Sequence, residues 1–510
     1  MAKQNTPDLP KNLTFREKNQ HLFAKLATVN YKAVGSNKSM SYSEFDKATF
    51  RTYMQNPKNN EKNLRNMSRF FYRASANYKR LVDYFAKIPL LYWNLSPRVD
   101  LNQRFSSTAK STKEQSNETI IKKYYDMLVT LTNMNMEHEF RKIMLIAFRE
   151  DVFYGYCYST KESFFIDQMD PDYCRIVSVE DGVFNYEFDF SYYDSNPAQV
   201  ETLAPALAAQ YNAYLRDKTN MKWQLIDPKE AICIKVNEDS PMEVIPPLVG
   251  IFEDLIDLID YKSLVRNREE IYNYKLLVEH IPVRSDSNST DDFTIDLDTA
   301  VAFHERTSEA VPEQVGVVVS PMKIDSIEFK RDTTEVDLIA QAVRNLFDNS
   351  GVSAMLFNSD KSGKVGLEAS IRTDEMVSFA LLRQLERWVR RYLKYHSTGT
   401  KFEFRFLDIS EFNKDNYTNM ELALANAGMP NKLTIMASRG VNPLTALSEM
   451  VFENEILNLP DNLIPLQSAH TQSSNDPNNQ GGRPAMNESD LSDSGMQSRD
   501  DGNNIDTIET

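Results

Sequence analysis

The chain has 510 residues, 41% of them hydrophobic, which is enough for more than one core, because single cores stop growing at roughly 250–300 residues. Its formal net charge of −15 excludes a whole-molecule electrostatic binder of polyphosphate, so any nucleic-acid contact has to be local or weak. Three cysteines without a CxxC pair, Cys157, Cys174 and Cys233, encode neither a disulfide framework nor a zinc site and point to a reducing compartment.

The first sixty residues are polar and carry no signal-peptide core, and no run of ~18 uncharged apolar residues predicts a membrane span. From Glu61 to Lys87 the apolar positions Leu64, Met67, Phe70, Phe71, Tyr78, Leu81, Val82 and Phe85 predict one long amphipathic helix. Its other face holds Arg65, Arg69, Arg73, Lys79, Arg80 and Lys87, which reads as a solvated face in preference to a phosphate-facing stripe. A polar link from Ser106 to Asn117 leads into a second helical stretch, Glu118 to Val152. The period then changes. Aromatic and β-branched residues separated by turn signals such as Asp181-Gly182 predict strands from Val152 to Val236, interrupted by one helix from Pro197 to Arg216.

Pro246-Pro247 can open a helix, since a first-turn proline sacrifices no intrahelical bond, and the apolar pattern extends it for about thirty residues. Its apolar positions include Leu248, Ile251, Phe252, Leu255, Ile256, Leu258 and Ile259 and cover more than one stripe, so contacts on two sides are expected. A compact insert from Pro282 to Phe329 follows, with FTIDL, VGVVV and KIDSIEF as candidate strands. Thr334 and Asp337 fit a cap for the next helix, which carries Val343 and Phe347 and stops at Gly351. VSAMLFNSDKSGKVG then separates it from a very long helix, Leu367 to Lys394, expected to bury Ile371, Met376, Phe379, Leu382, Leu385, Trp388, Val389 and Leu393. The strand KFEFRFLDIS and Leu/Ala-rich helices from Thr418 to Leu457 complete the folded part. Beyond Pro460 the composition is too polar to offset ordering entropy and predicts a disordered acidic tail.

Tests for chemistry fail in turn. SDKSGKVG superficially resembles a phosphate-binding loop but lacks the upstream glycine, and Val365 follows Lys364 where a Ser or Thr is required. The histidines His21, His138, His280, His304, His396 and His470 stand singly, without a metal-binding spacing. Asp170 with Asp172, or Asp291 with Asp292, would be the carboxylates of a Mg²⁺ nuclease, but Asp170-Pro171-Asp172 fits a turn between strands better. No GxSxG elbow is present, the cysteines lie in apolar strand contexts that make thiols inert, and no cofactor is expected.

The order helix, small insert, helix, loop, very long helix resembles that of the portal proteins of tailed bacteriophages. IPPLVGIFEDLIDLIDYKSLV is similar to their first stem helix, and QMDPDYCRIVSVEDGVFNYEFDF to the strand-turn-strand of their wing. The polar, GGRP-containing tail is similar to portal C-termini. The resemblance implies an α+β, mainly helical subunit that forms a ring. Its parts would be a polar arm (1–60), a wing (61–245), a first stem helix (246–281), a clip (282–330), a second stem helix (331–351), a tunnel loop (352–366), a spine helix (367–396), a wing strand (397–415), a crown (416–460) and the tail (461–510).

It further implies a non-enzymatic conduit for double-stranded DNA at one capsid vertex, used in genome packaging, head-tail joining and ejection. The ring would usually be a dodecamer, assembled in the host bacterial cytoplasm and carried in the virion. Its partners would be the packaging terminase, head-completion and adaptor proteins, the major capsid and scaffold proteins and non-specific DNA, with no membrane. Asn358, Ser359, Lys361, Ser362 and Lys364 would stand in the tunnel loop, and Ile251, Phe252, Leu255, Ile259, Val343 and Phe347 would pack the stem, whose two apolar sides would meet neighbouring subunits. Two alternatives stay open: a metal-dependent nuclease or nucleotidyl transferase using Asp170 and Asp172, and another minor capsid or head-tail adaptor protein.

Overall fold

A computed structural model describes residues 46–98, 117–160, 163–273, 275–280, 284, 286, 294–295, 297–310, 315–320, 338–353, 356, 364–396 and 401–459. The polar arm up to residue 45, the link 99–116, the expected strand KIDSIEF, the Thr334/Asp337 cap and the tail from residue 460 lie outside them.

The fold mixes helix and sheet in the α+β manner. Helices α1 (Lys47–Gln55), α2 (Glu61–Ala74) and α3 (Ala76–Lys87) come first. The single helix expected over Glu61 to Lys87 is therefore two. Ser75 adopts an extended backbone between them, and its hydroxyl accepts from the Tyr78 amide at 3.3 Å, starting a new helix in the way N-cap serines do. A similar break divides the next stretch into α4 (Asn117–Asn133) and α5 (Met136–Glu150), with Asn135 left-handed at φ 47°, a conformation asparagine tolerates.

Strand β1 (Trp93–Arg98) pairs antiparallel with β10 (Lys401–Phe406), Trp93 opposite Phe406. The strand-rich region delivers six strands: β2 (Val152–Ser159), β3 (Phe164–Gln168), β4 (Cys174–Glu180), β5 (Val183–Asp189), β6 (Trp223–Leu225) and β7 (Ala231–Lys235). They form two antiparallel three-stranded sheets in the orders β3-β2-β7 and β4-β5-β6. The expected helix from Pro197 is a 3₁₀ turn followed by α6 (Pro205–Arg216). Aromatic and aliphatic side chains from both sheets, among them Tyr154, Tyr186, Phe188 and Ile226, share one core with Leu207 and Tyr214 of α6.

Helix α7 (Phe252–Asn273) follows a 3₁₀ turn at Val249–Ile251, so it is shorter than the 246–281 span expected. Lys275–His280 is instead strand β8, paired in parallel with β9 (Val315–Ser320) across helix α8 (Leu297–Ala310). KLLVEH carries an apolar pattern compatible with either state, and pairing with VGVVVS decides it. Leu297, expected in a strand, opens α8.

Helix α9 (Leu338–Asn349) ends at Gly351, whose φ of +75° suits glycine. Helix α10 (Lys364–His396) is the longest, and it starts three residues before the expected Leu367. Helices α11 (Lys414–Asn426), α12 (Lys432–Ser438) and α13 (Pro443–Val451) follow β10. Residues 447–459 form the described part of a second unit: the end of α13 and a π-helical turn, Phe452–Ile456.

Candidate functional site

Helices α7 and α9 are neighbours, and the base of α7 is anchored by aromatic packing. Phe252 is fully buried, with its ring 5.9 Å from Phe50, 5.1 Å from Phe71 and 5.7 Å from Tyr78. Charged groups along the same base tie it to α1: Arg51 pairs with Glu253 at 2.9 Å, and Lys47 pairs with Asp257. Across the hairpin, the Asn349 amide donates to Asp254 at 2.9 Å. A hollow of about 350 Å³ between α1 and α7 is floored by Phe71, Ile256 and Ile259, with Asp46 and Asp260 on its lip.

Of the residues expected to pack the stem, Ile251, Phe252, Leu255 and Phe347 are buried inside the subunit, while Ile259 and Val343 are half-buried. The aromatic cluster under α7 covers the buried four within one chain. Exposed apolar side chains lie further along. From Asp260 to Asn267 every residue of α7 except half-buried Val265 is exposed, with Tyr261 at 41% and Leu264 at 58%. The sequence did not single these two out, because their apolar character matches that of the buried positions.

Asn358, Ser359, Lys361 and Ser362 lie outside the described residues. Lys364, expected in the loop, is the first residue of α10.

The C-terminal half of α10 seals the open edge of β7. The Gln384 side-chain carbonyl accepts from the Lys235 amide at 3.1 Å, while its NH₂ donates to the Lys235 carbonyl. Trp388 donates to the Ala231 carbonyl at 2.9 Å, and Arg391 donates to that carbonyl at 3.2 Å and to Asn185 at 2.7 Å. Side chains thus replace the strand that would otherwise add at this edge. Below them Lys235 and Asp151 form an ion pair sealed from solvent.

The basic face of α2 is only partly solvated. Arg65 is buried and pairs with Asp172, which also takes Lys62 at 2.6 Å, and Arg69 pairs with Glu150 at 2.6 Å. Burial pushes the Glu150 carboxyl up, but Arg149 and Arg69 outweigh it and hold it at about 2. Asp170 caps the short 3₁₀ turn Pro171–Tyr173 through the Asp172 amide at 3.0 Å, as a turn reading requires. Asp172 is thus engaged by two cations of α2, Lys62 and Arg65, and ties that helix to the turn. Burial raises the thiols of Cys157, Cys174 and Cys233, which disfavours thiolate chemistry. Among the described residues, no group of three or more His, Cys, Asp or Glu side chains is placed to hold a metal, and no helix is long and apolar enough to cross a membrane.

Comparison of the chain with known proteins finds no matching family model and no matching curated protein.

Proposed function

We propose that this chain is the subunit of a portal-type ring, a passive conduit for double-stranded DNA at a phage capsid vertex. The observation that carries the reading is the hairpin of α7 and α9. Two helices bracket the β8-α8-β9 insert, are anchored at the base of α7 by the Phe252 cluster, and expose Tyr261 and Leu264 beyond the buried part of α7. Apolar side chains on the outer turns of a tethered helix are the surface a neighbouring copy would cover, and a heterologous contact repeated around an axis closes a ring.

The electrostatics support a conduit. Duplex DNA carries about one negative charge per 1.7 Å of axis, so a strongly basic channel would grip it, whereas an acidic subunit of charge −15 lets it slide. In this reading the insert docks the packaging terminase and later the head-completion and adaptor proteins. Lys361 and Lys364 touch phosphates only transiently. Capsid and scaffold proteins surround the ring, which is assembled in the bacterial cytoplasm and carried in the virion. The chain performs no catalysis of its own.

Negative-stain imaging with mass measurement in solution tests this. The wild type is expected as an annulus of many subunits, and Leu264→Asp with Tyr261→Asp is expected to yield monomers with an unchanged circular-dichroism spectrum. A wild type that stays monomeric across salt and concentration, with no annulus in the images, overturns the proposal. Deleting 282–330 is expected to remove terminase binding while the ring persists.

A further inference from the structure

One turn of α10 is packed inside out. Asp374 and Glu375 are only 4% and 7% exposed and Ser378 is fully buried, whereas Met376 and Val377 on the same turn are 72% and 45% exposed. Later turns follow the ordinary rule, with Leu381, Leu382, Leu385, Trp388 and Val389 inside. Burying adjacent carboxyls is costly unless cations compensate them.

Among the described residues, no cation does so. Asp374 accepts from the Tyr84 hydroxyl at 2.9 Å, Glu375 accepts from the Ser410 hydroxyl, and Ser378 donates to the Phe85 carbonyl at 3.0 Å. Charged groups on the surrounding elements are engaged elsewhere or face solvent. On α3, Lys87 pairs with Asp83 at 3.1 Å. After β10, Asp408 is taken by Arg383, and Glu411 is exposed. On α10 itself Arg372 is exposed. Two neutral hydroxyls are thus the donors to two carboxyls, and neither of the adjacent apolar residues helps to hold the turn down.

We infer that the N-terminal part of α10, up to Ser378, is a proton-sensitive seat, docked on α3 while the Asp374 carboxyl, buried beside Glu375 without a cation, is neutral and loosened when it ionises. The part from Leu381 onward stays fixed through Gln384, Trp388 and Arg391, so the motion is confined to the turns nearest the 352–366 segment. Burial, opposed by the Tyr84 hydroxyl and reinforced by Glu375, raises the Asp374 carboxyl from 3.8 to about 6. An acid raised in the fold binds its proton more tightly there than when released. Docking is therefore strongest below about pH 4, weakens as pH rises toward about 6, and is weakest above that. The inference concerns a single subunit and does not depend on ring formation.

Hydrogen–deuterium exchange of the full chain at about pH 5 and about pH 7.5, corrected for intrinsic exchange rates, tests it. Protection over 366–378 is expected to drop about tenfold between the two conditions, the part lying above pH 5 of the ~100-fold full range of a shift of about two units, while 381–396 is unchanged. The double variant Asp374→Asn/Glu375→Gln keeps acceptors for both hydroxyls and is expected to hold the low-pH protection at both values. Tyr84→Phe, which removes a donor that favours the ionised form, is expected to move the midpoint of the wild-type change to higher pH. Equal wild-type protection at both pH values, a double variant that tracks the wild type, or an unmoved midpoint in Tyr84→Phe overturns the inference.

Discussion

Replacing Lys235 by Met probes the sealed ion pair beneath α10. Both side chains are 0% exposed; Lys235 also donates to the Glu243 carbonyl at 2.7 Å, and Asp151 accepts from the Asn237 amide at 3.0 Å and its side chain at 2.9 Å. The variant keeps the length of the side chain but strands the Asp151 carboxylate with dipoles and no countercharge. Removing one partner of a buried pair costs roughly 3–5 kcal/mol. Protonation limits that cost: burial already raises the Asp151 carboxyl to about 6 against the pull of Lys235, so at pH 7 the variant's acid escapes by taking up a proton at about 1.4 kcal/mol. Lys235→Met is therefore expected to lose about 1–3 kcal/mol at pH 7, below the range for an acid that stays charged. It should regain most of that near pH 4, where Asp151 protonates readily. Denaturant unfolding followed by tryptophan fluorescence is a suitable assay, because Trp388 is bonded to β7, the strand that carries Lys235. Adding Asp151→Asn should restore much of the loss at pH 7. A cost below about 1 kcal/mol, or no recovery in acid, would refute the view that the two charges are mutually dependent.

Glu150 gives the opposite pH sign. Its carboxyl is fully buried and held at about 2 against an ordinary 4.5, a difference of about 2.5 units worth about 3 kcal/mol, present above about pH 4.5 and lost as pH falls toward 2. Glu150→Gln is expected to remove that acid limb from a plot of stability against pH. Gly155→Ala would place a Cβ 2.5 Å from the Phe153 ring, 2.9 Å from Ile232 and 3.0 Å from the Asp167 carbonyl. Overpacking of that kind should cost about 1–3 kcal/mol in thermal unfolding. Phe252→Ala empties the aromatic cluster at the base of α7 and is expected to cost about 3–5 kcal/mol; a change under about 1 kcal/mol would show that the hairpin is anchored by its ion pairs instead.

The parts of this fold that could be read from the sequence are those where one local rule decides. The turn at Asp170-Pro171-Asp172 needs only aspartate and proline chemistry, and the C-terminal half of α10 shows its buried face through Leu382, Leu385, Trp388, Val389 and Leu393. Other features depend on partners distant in sequence. Arg65 sits on the polar side of an amphipathic pattern, and only Asp172, 107 residues away, draws it into the interior. The pairing of β1 with β10 joins segments about three hundred residues apart, and nothing in WNLSPR announces that register. Likewise KLLVEH continues the apolar pattern of α7, which extrapolates to a helix running to His280, and only the parallel pairing with VGVVVS makes it a strand.

Met376 is a failure of another kind, since no distant partner is needed to explain it. The stripe of Leu382, Leu385, Val389 and Leu393, carried back at 100° per residue, runs through Ser378, Glu375, Asp374 and Ile371 and leaves Met376 on the opposite side, so expecting Met376 inside followed its apolar character and not the period. In the folded chain the acids occupy the buried stripe with Ile371, which is 9% exposed, and Phe379 is only half-buried. A sequence selected for stability alone would place an apolar residue where Asp374 stands, because two hydroxyl bonds do not compensate two carboxylates. Local rules are broken most often where a segment has to leave its resting position, and this turn lies between the fixed half of α10 and the 352–366 segment. The acids on the buried stripe and the proton-sensitive seat are then one physical fact: the acids weaken this end of the helix at neutral pH, while the bonds to β7 hold the other.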